Sequence, residues 1–281
     1  MVIVKYGKKK GYMDGFLKAN LDLYKKLVKK DRDNIQIVSG REREGKSTLM
    51  NANLKYLDPT YNLSRCCFDG NSFVEAIKNN TKPYQAIGWD EAQEFTSRAS
   101  ISKFNRNMIQ ALSLIGTKNL FIGICIPSFF ELDRYPAIHR SNCLLRVYSV
   151  DGDRGRFQFY NEEKKKLLYI KGKKFYDYNQ VKQNFSGRFT KEVFPFDKKE
   201  YDKKKMDAME SGLNFDKIKQ SKWMEQRNDL IEYLYYKCKL TQKQIEEYMN
   251  GKGNPLSLHT ISDMLINRRE NPKNIEVGIG S

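Results

Sequence analysis

Residues 35–50, IQIVSGREREGKSTLM, constrain this chain more than any other stretch. IQIVS (35–39) is a short β-branched apolar run of strand length, and KSTLMNANLKYL (46–57) reads as a helix. Between them stands Gly40-x-x-x-x-Gly45-Lys46-Ser47, a full Walker A pattern in the strand–turn–helix setting that its physics requires. The glycines let the loop wrap tightly, so backbone N–H groups point inward and the helix N-terminus adds partial positive charge. Such a cradle suits a polyphosphate: ATP with Mg²⁺ is the expected cofactor pair, held by Gly40, Arg41, Glu42, Arg43, Glu44, Gly45, Lys46, Ser47 and Thr48. Lys46 is expected to reach the β- and γ-phosphates and the Ser47 hydroxyl to ligate the metal. The charged filling, Arg41 to Glu44, leaves two readings open. These are solvated loop charges, or Arg41 and Arg43 touching the γ-phosphate or a neighbouring subunit.

Further apolar runs alternate with helical periods. Strands are expected at 64–69, 84–89, 119–127 and 144–150, with helices at 16–30, 71–79 (capped by Asp69 or Asn71) and 99–119. Strands separated by helices of this length specify an α/β fold with a mostly parallel sheet covered on both faces.

The run QAIGWDEA (85–92) ends in two acids where open α/β sheets place their ligands, at the carboxyl end of a strand. Asp90 is expected to hold the Mg²⁺ and Glu91 to act as the base that orients the attacking water. Ser128, after the strand 119–127, stands where a γ-phosphate sensor belongs. Arg98, Arg106, Arg134 and Arg140 are candidates for an arginine finger acting in trans, with Arg134 and Arg140 leading because they follow the sensor strand.

Composition narrows the class. The chain has 281 residues, 40% apolar and 30% charged, which makes it globular and not disordered by composition. No apolar run approaches the ~18 residues of a membrane span, and the start lacks a signal peptide's apolar core. Five cysteines without a CxxC pair, and two histidines, give no zinc cluster, so reduced thiols in a cytoplasmic protein are expected. The net charge of +17 favours a polyanionic partner. Residues 1–30 hold 9 basic and 2 acidic side chains, and 151–220 hold 18 and 12. Residues 221–281 are nearly neutral, with 9 and 8.

Three segments are expected: a core with a basic N-terminal arm (1–150), a basic, aromatic extension (151–220) and a small all-helical domain (221–281). In the extension, RFQFY (156–160) and KLLYIKG (166–172) read as a β-hairpin around NEEKK. Its aromatics Phe157, Phe159, Tyr160, Tyr169, Phe175, Tyr176 and Tyr178, interleaved with Lys and Arg, suit packing on the core or a nucleic-acid strand. Residues 222–269 read as helix, turn, helix, with Thr241 and Gln244 as a capping box and Ser257 capping the last helix. A helix-turn-helix reading puts His259, Thr260, Asp263 and Asn267 on the exposed face, with Arg268 and Arg269 available for phosphates. A protein-contact bundle is the competing reading. Lys8, Lys9 and Lys10 form either a solvated arm or a phosphate-binding one.

The Walker A loop, the DEAQEF run (90–95) and KNLFIGICIPSFFELDRYPAIHR (118–140) together resemble the P-loop motor ATPases of viruses and plasmids. The FtsK/HerA superfamily, with its zonula-occludens-toxin-like members, is the branch they are most similar to, over roughly residues 15–150. The resemblance implies a RecA-like ATPase core that assembles into a ring, a hexamer or similar, and translocates or packages DNA. Double-stranded DNA is the expected form, and a viral or plasmid protein is a possible partner of the helical domain. For a viral protein the compartment implied is the host cytoplasm. The Arg/Glu-filled loop departs from the usual small-residue version and is similar to the Arg-containing loops of viral terminases. The competing functional reading is a DNA-binding switch whose assembly is controlled by ATP, without processive movement.

Overall fold

The structure is a computed structural model that describes residues 2–6, 9–79, 82–90, 115, 118–252 and 256–270. The expected helix 99–119 falls largely outside them, as do Lys8, Glu91, Arg98 and Arg106. Two compact units divide the chain, Met1–Glu210 and Ser211–Ser281.

The first unit is built on a seven-stranded mixed sheet. Five parallel strands carry the alternation read from the sequence: β3 (Asn34–Ser39), β4 (Cys66–Cys67), β5 (Ala86–Asp90), β6 (Phe121–Ile126) and β7 (Cys143–Val150). Two antiparallel strands, β8 (Asp153–Asn161) and β9 (Phe185–Arg188), extend one edge, giving the order β4-β5-β6-β3-β7-β8-β9. The central strands are buried along their whole length, as strands covered on both faces must be. Side chains of β3 alternate between two cores. Val38 joins Leu21, Leu54 and Phe157 on one face, whereas Ile35 and Ile37 join Phe73, Phe129 and Tyr169 on the other.

Helices α1 (Gly15–Val28) and α2 (Lys46–Leu57) cover the first face. Helix α3 (Gly70–Asn79), the 129–140 segment and α4 (Glu162–Gly172) cover the second. Asp69 caps α3 by accepting the N–H groups of Asn71 and Ser72. Gly88 and Gly123, paired across β5 and β6, leave helix α2 a flat seat on the sheet, where Met50 and Leu54 fill the space their side chains would take. A Cβ on Gly123 would stand 2.7 Å from Met50 Cγ.

Three expectations are corrected. The N-terminal arm is a β-hairpin, β1 (Val2–Tyr6) with β2 (Lys9–Met13), whose Val4, Tyr6 and Met13 are buried in the first core. The strand expected at 64–69 shrinks to Cys66–Cys67 behind a single helical turn capped by Asn62. RFQFY does lie in a hairpin, but its partner is β7, joined through Asp151-Gly152, both with φ positive. KLLYIKG is part of α4 instead. The Asn161 side chain caps the Lys164 N–H, and Glu162 and Glu163 favour the positive end of the helix dipole.

From Lys198 onward the charged stretch after Pro195 is helical. Helix α5 (Lys198–Glu232) starts in the first unit, and its Tyr201 is buried there. In the second unit, α6 (Gln242–Gly251) opens on the capping box of Thr241 and Gln244. Helix α7 (Leu258–Glu270) begins after Ser257, whose hydroxyl accepts the Thr260 N–H. Ile231, Ile245, Met249, Ile261 and Leu265 form a small core of its own. No helix among the described residues is long and apolar enough to cross a membrane.

Candidate functional site

Strands β3, β6 and β5 end side by side, and their carboxyl ends carry the residues singled out from the sequence. One strand separates β3 from β5, so their ends lie two strand spacings apart, about 9–10 Å. The loop 40–45 leaves β3 under tight steric control. Gly40 (φ +153°) admits no Cβ, which would collide with the Val147 carbonyl, and the Gly40 N–H bonds Pro127 O at 3.3 Å. Gly45 (φ +101°) is the N-cap of α2 and offers no side-chain acceptor to the first turn, leaving those donors for an anion. Lys46 curls back so that Nζ donates to the carbonyls of Gly40 (2.7 Å) and Arg41 (2.8 Å). Glu44 braces the loop by accepting the Arg41 N–H at 3.0 Å. Arg41, Glu42 and Arg43 are exposed, and Thr48 is half-buried one residue after Ser47.

Asp90 and Ser47 both lie by the hydroxyl of Tyr201, from α5, which donates to Asp90 Oδ2, while the Ser47 side chain is close enough to lower the pKa of the same phenol. Asp90 is only 2% exposed, and Lys205 Nζ lies 3.5 Å from the same oxygen. Burial, and after it the Asp90 carboxylate, pushes the Tyr201 phenol well above its ordinary pKa. A serine hydroxyl and a carboxylate are hard oxygen donors of the kind suited to Mg²⁺, which takes one or two protein oxygens and fills its shell with water and phosphate. Among the described residues no group of three His, Cys, Asp or Glu side chains forms a metal cluster, and a site of this kind does not need one. The Ser47 backbone is fixed from behind: Asn51 Nδ2 donates to Ser47 O at 2.8 Å, and Asn51 Oδ1 accepts from the Tyr61 hydroxyl at 2.7 Å.

Ser128 lies two residues past the end of β6, the strand between β3 and β5, and is half-buried, with Oγ accepting the Phe130 N–H at 3.4 Å. Next to it, the Tyr178 hydroxyl accepts the Phe129 N–H (2.8 Å) and lies 3.2 Å from Ser39 Oγ, tying the root of the loop to the end of β6. Arg146 pairs in register with Ser39 and stacks its guanidinium on the Tyr178 ring, 4.4 Å from the centroid. Arg146, Tyr201 and Lys205 escaped the sequence reading, which took Tyr178 only as one of the extension's aromatics. Arg146 alone carried a local signal, a charge interrupting an apolar strand.

The remaining expected residues lie elsewhere. Arg140 pairs with Asp33, immediately before the amino end of β3, about 20 Å of strand from the loop. Arg134 is exposed in the same segment. Lys9 lies in β2 and Lys10 is exposed there. In the second unit His259 and Thr260 are exposed on α7, and His259 Nδ1 contacts Asp263 at 2.8 Å. Arg268 and Arg269 fall in the last turns of α7. Comparison with protein-family models and with curated proteins finds no match for the chain.

Proposed function

We propose that the chain is a Mg²⁺-dependent, RecA-like P-loop ATPase that drives movement of DNA, in the manner of the viral and plasmid motors its motifs resemble. The observation that carries this reading is the buried Asp90 carboxylate at the end of β5, two strands from the glycine-bounded loop whose carbonyls hold Lys46 and whose helix begins with Lys46 and Ser47. In this reading Lys46 leaves the loop carbonyls to bind the β- and γ-phosphates, and the first-turn N–H groups of α2 orient them. Ser47 and Asp90 hold the metal, which supplies charge neutralisation at the phosphate oxygens when bound. Glu91, the residue after Asp90, takes the proton of the attacking water, and Ser128 reports on the γ-phosphate.

Exposed side chains on and after α4 support a nucleic-acid partner. Phe175 (66% exposed) and Tyr176 (58%) stand among exposed Lys166, Lys171, Lys173 and Lys174. Phe157, Phe159, Tyr160 and Tyr169, by contrast, are core residues. Aromatic faces with ammonium groups suit bases and phosphates. The His259 face of α7, with Asp263 in its midst, suits a protein contact better than a phosphate contact. A ring assembly, with Arg134 acting on the neighbouring subunit, completes the motor reading.

One observation favours the second reading, a nucleotide-controlled DNA-binding switch: Tyr201 and Lys205 already occupy Asp90. Turnover with and without DNA separates the two. The motor reading expects Glu91→Gln to retain ATP binding and abolish DNA-stimulated hydrolysis. Hydrolysis persisting in that variant removes Glu91 from its role, and absence of DNA stimulation in a protein that stays monomeric with nucleotide favours the switch.

A further inference from the structure

Tyr201 and Lys205 lie far along the chain from the loop and the acid pair, on the first turns of α5, yet both end on Asp90. Neither contact is incidental. The Tyr201 ring is 2% exposed, edge-on to Phe68 (5.2 Å between centroids) and Phe194 (4.9 Å). Between them in sequence, Lys204 Nζ donates to the carbonyls of Leu63 and Cys66, both at 2.8 Å. The first turns of α5 are therefore pinned to β4 and β5 while they present a phenol and an ammonium to one carboxylate oxygen.

A carboxylate this buried needs hydrogen-bond donors or a cation. Mg²⁺ and the Lys205 ammonium cannot share that oxygen without strong like-charge repulsion in a poorly hydrated place. The side chain of Lys205 is 24% exposed, so it can withdraw into water.

We infer that Tyr201 and Lys205 are an internal plug on the metal position, holding Asp90 until Mg²⁺–nucleotide arrives and leaving when it does. This inference rests on the reading of residues 40–48 as a nucleotide-binding loop. Metal occupancy and docking of the first turns of α5 then exclude one another. Helix α5 runs on to Glu232, so its near end answers to the nucleotide while its far end belongs to the second unit. A bistable element of this kind is what converts a local charge change into a larger rearrangement.

The test uses the full chain, a fluorescent ATP analogue with Mg²⁺ or with EDTA, and hydrogen exchange of amides 199–206. Tyr201→Phe keeps the ring and removes the hydroxyl, and Lys205→Met removes the ammonium; thermal melts verify that both variants are folded. Because the undocked state binds the metal complex, losing one charge-assisted hydrogen bond raises affinity for the Mg²⁺ complex about tenfold in Tyr201→Phe. Affinity in EDTA stays close to wild type. Wild-type amides 199–206 lose protection on adding Mg²⁺ and ATP. Unchanged or weaker Mg²⁺-dependent affinity in both variants, or protection that holds or increases, overturns the inference while leaving the nucleotide site intact. No binding of the Mg²⁺ complex by wild type or variants overturns the inference together with the ATPase reading.

Discussion

Gly123→Ala tests how the sheet aims helix α2, which carries Lys46 and Ser47. The new Cβ would stand 2.7 Å from Met50 Cγ and 3.0 Å from Leu54 Cδ1, where carbon contacts settle at about 3.5–4.0 Å. Met50 and Leu54 are 1% and 0% exposed, so neither can swing into water. Helix α2 must lift by roughly 0.5–1 Å, and overpacking of this kind costs about 1–3 kcal/mol. Alanine returns up to about 1 kcal/mol by restricting the unfolded strand. At mid-range values of the two terms the net loss is about 1.3 kcal/mol, a fall of a few degrees in Tm for a unit of this size. Lys46 and Ser47 ride on the first turn of the same helix, so ATP affinity falls as well. Thermal unfolding by circular dichroism and titration with a fluorescent ATP analogue read the two effects. Met50→Ala in the Gly123→Ala background should cost less than Met50→Ala alone, because the deleted side chain is the one that clashes. An unchanged Tm, or strictly additive costs, would refute the seating argument.

Three other outcomes follow from the same geometry. Asp58 and Arg65 form a buried ion pair, each 6% exposed, and Asp58 also accepts the Ala86 N–H at 2.9 Å. Asp58→Asn strands the guanidinium and costs about 3–5 kcal/mol by urea unfolding. Burial would raise the Asp58 carboxyl, but hydrogen bonds from Thr60, Ala86 and Arg65 hold it below its ordinary value. Its contribution is thus present above pH ~4 and lost as pH falls through the folded pKa, and the variant lacks that part of the acid limb. Burial pushes the thiols of Cys67 and Cys143 up to about 12, and those of Cys66 and Cys125 also upward, whereas Cys238 is exposed. One thiol reacts quickly with a colorimetric disulfide reagent in the native protein, and stability declines above pH ~9 as unfolded thiols ionise first. Replacing Phe175 and Tyr176 by alanine weakens single-stranded DNA binding by about 1–3 kcal/mol per stacked base with little change in its salt slope. Replacing Lys171 and Lys174 flattens that slope, and the reverse pattern would exclude this surface.

Local periodicity and turn chemistry made much of the sheet legible. IQIVS, NLFIGICIP and LLRVYSV are strands, and the glycine-bounded turn between IQIVS and KSTLM lies where a strand–loop–helix pattern puts it. The errors have local causes too. KLLYIKG is short and apolar enough for either period, and the decisive marks were the Asn161 cap with Glu162 and Glu163 behind it. Asp151-Gly152 was a readable hairpin signal between two strands, and it pairs RFQFY with β7. Tyr201 and Tyr178 were not readable, because each reaches the site from over 100 residues away along the chain, by contacts no local pattern encodes. Arg140 was plausible from its place after the sensor strand. Sequence order does not reveal that the chain there has returned to the amino edge of the sheet, where Asp33 pairs with it.

The central claim is that residues 40–48, with Asp90, bind ATP and Mg²⁺, and calorimetric titration of the full chain tests it most directly. The account predicts one-site binding that requires Mg²⁺ for full affinity and is lost in Lys46→Ala, a variant whose melting temperature stays near wild type. No heat of binding in the wild-type protein, or equal binding in Lys46→Ala, would contradict it.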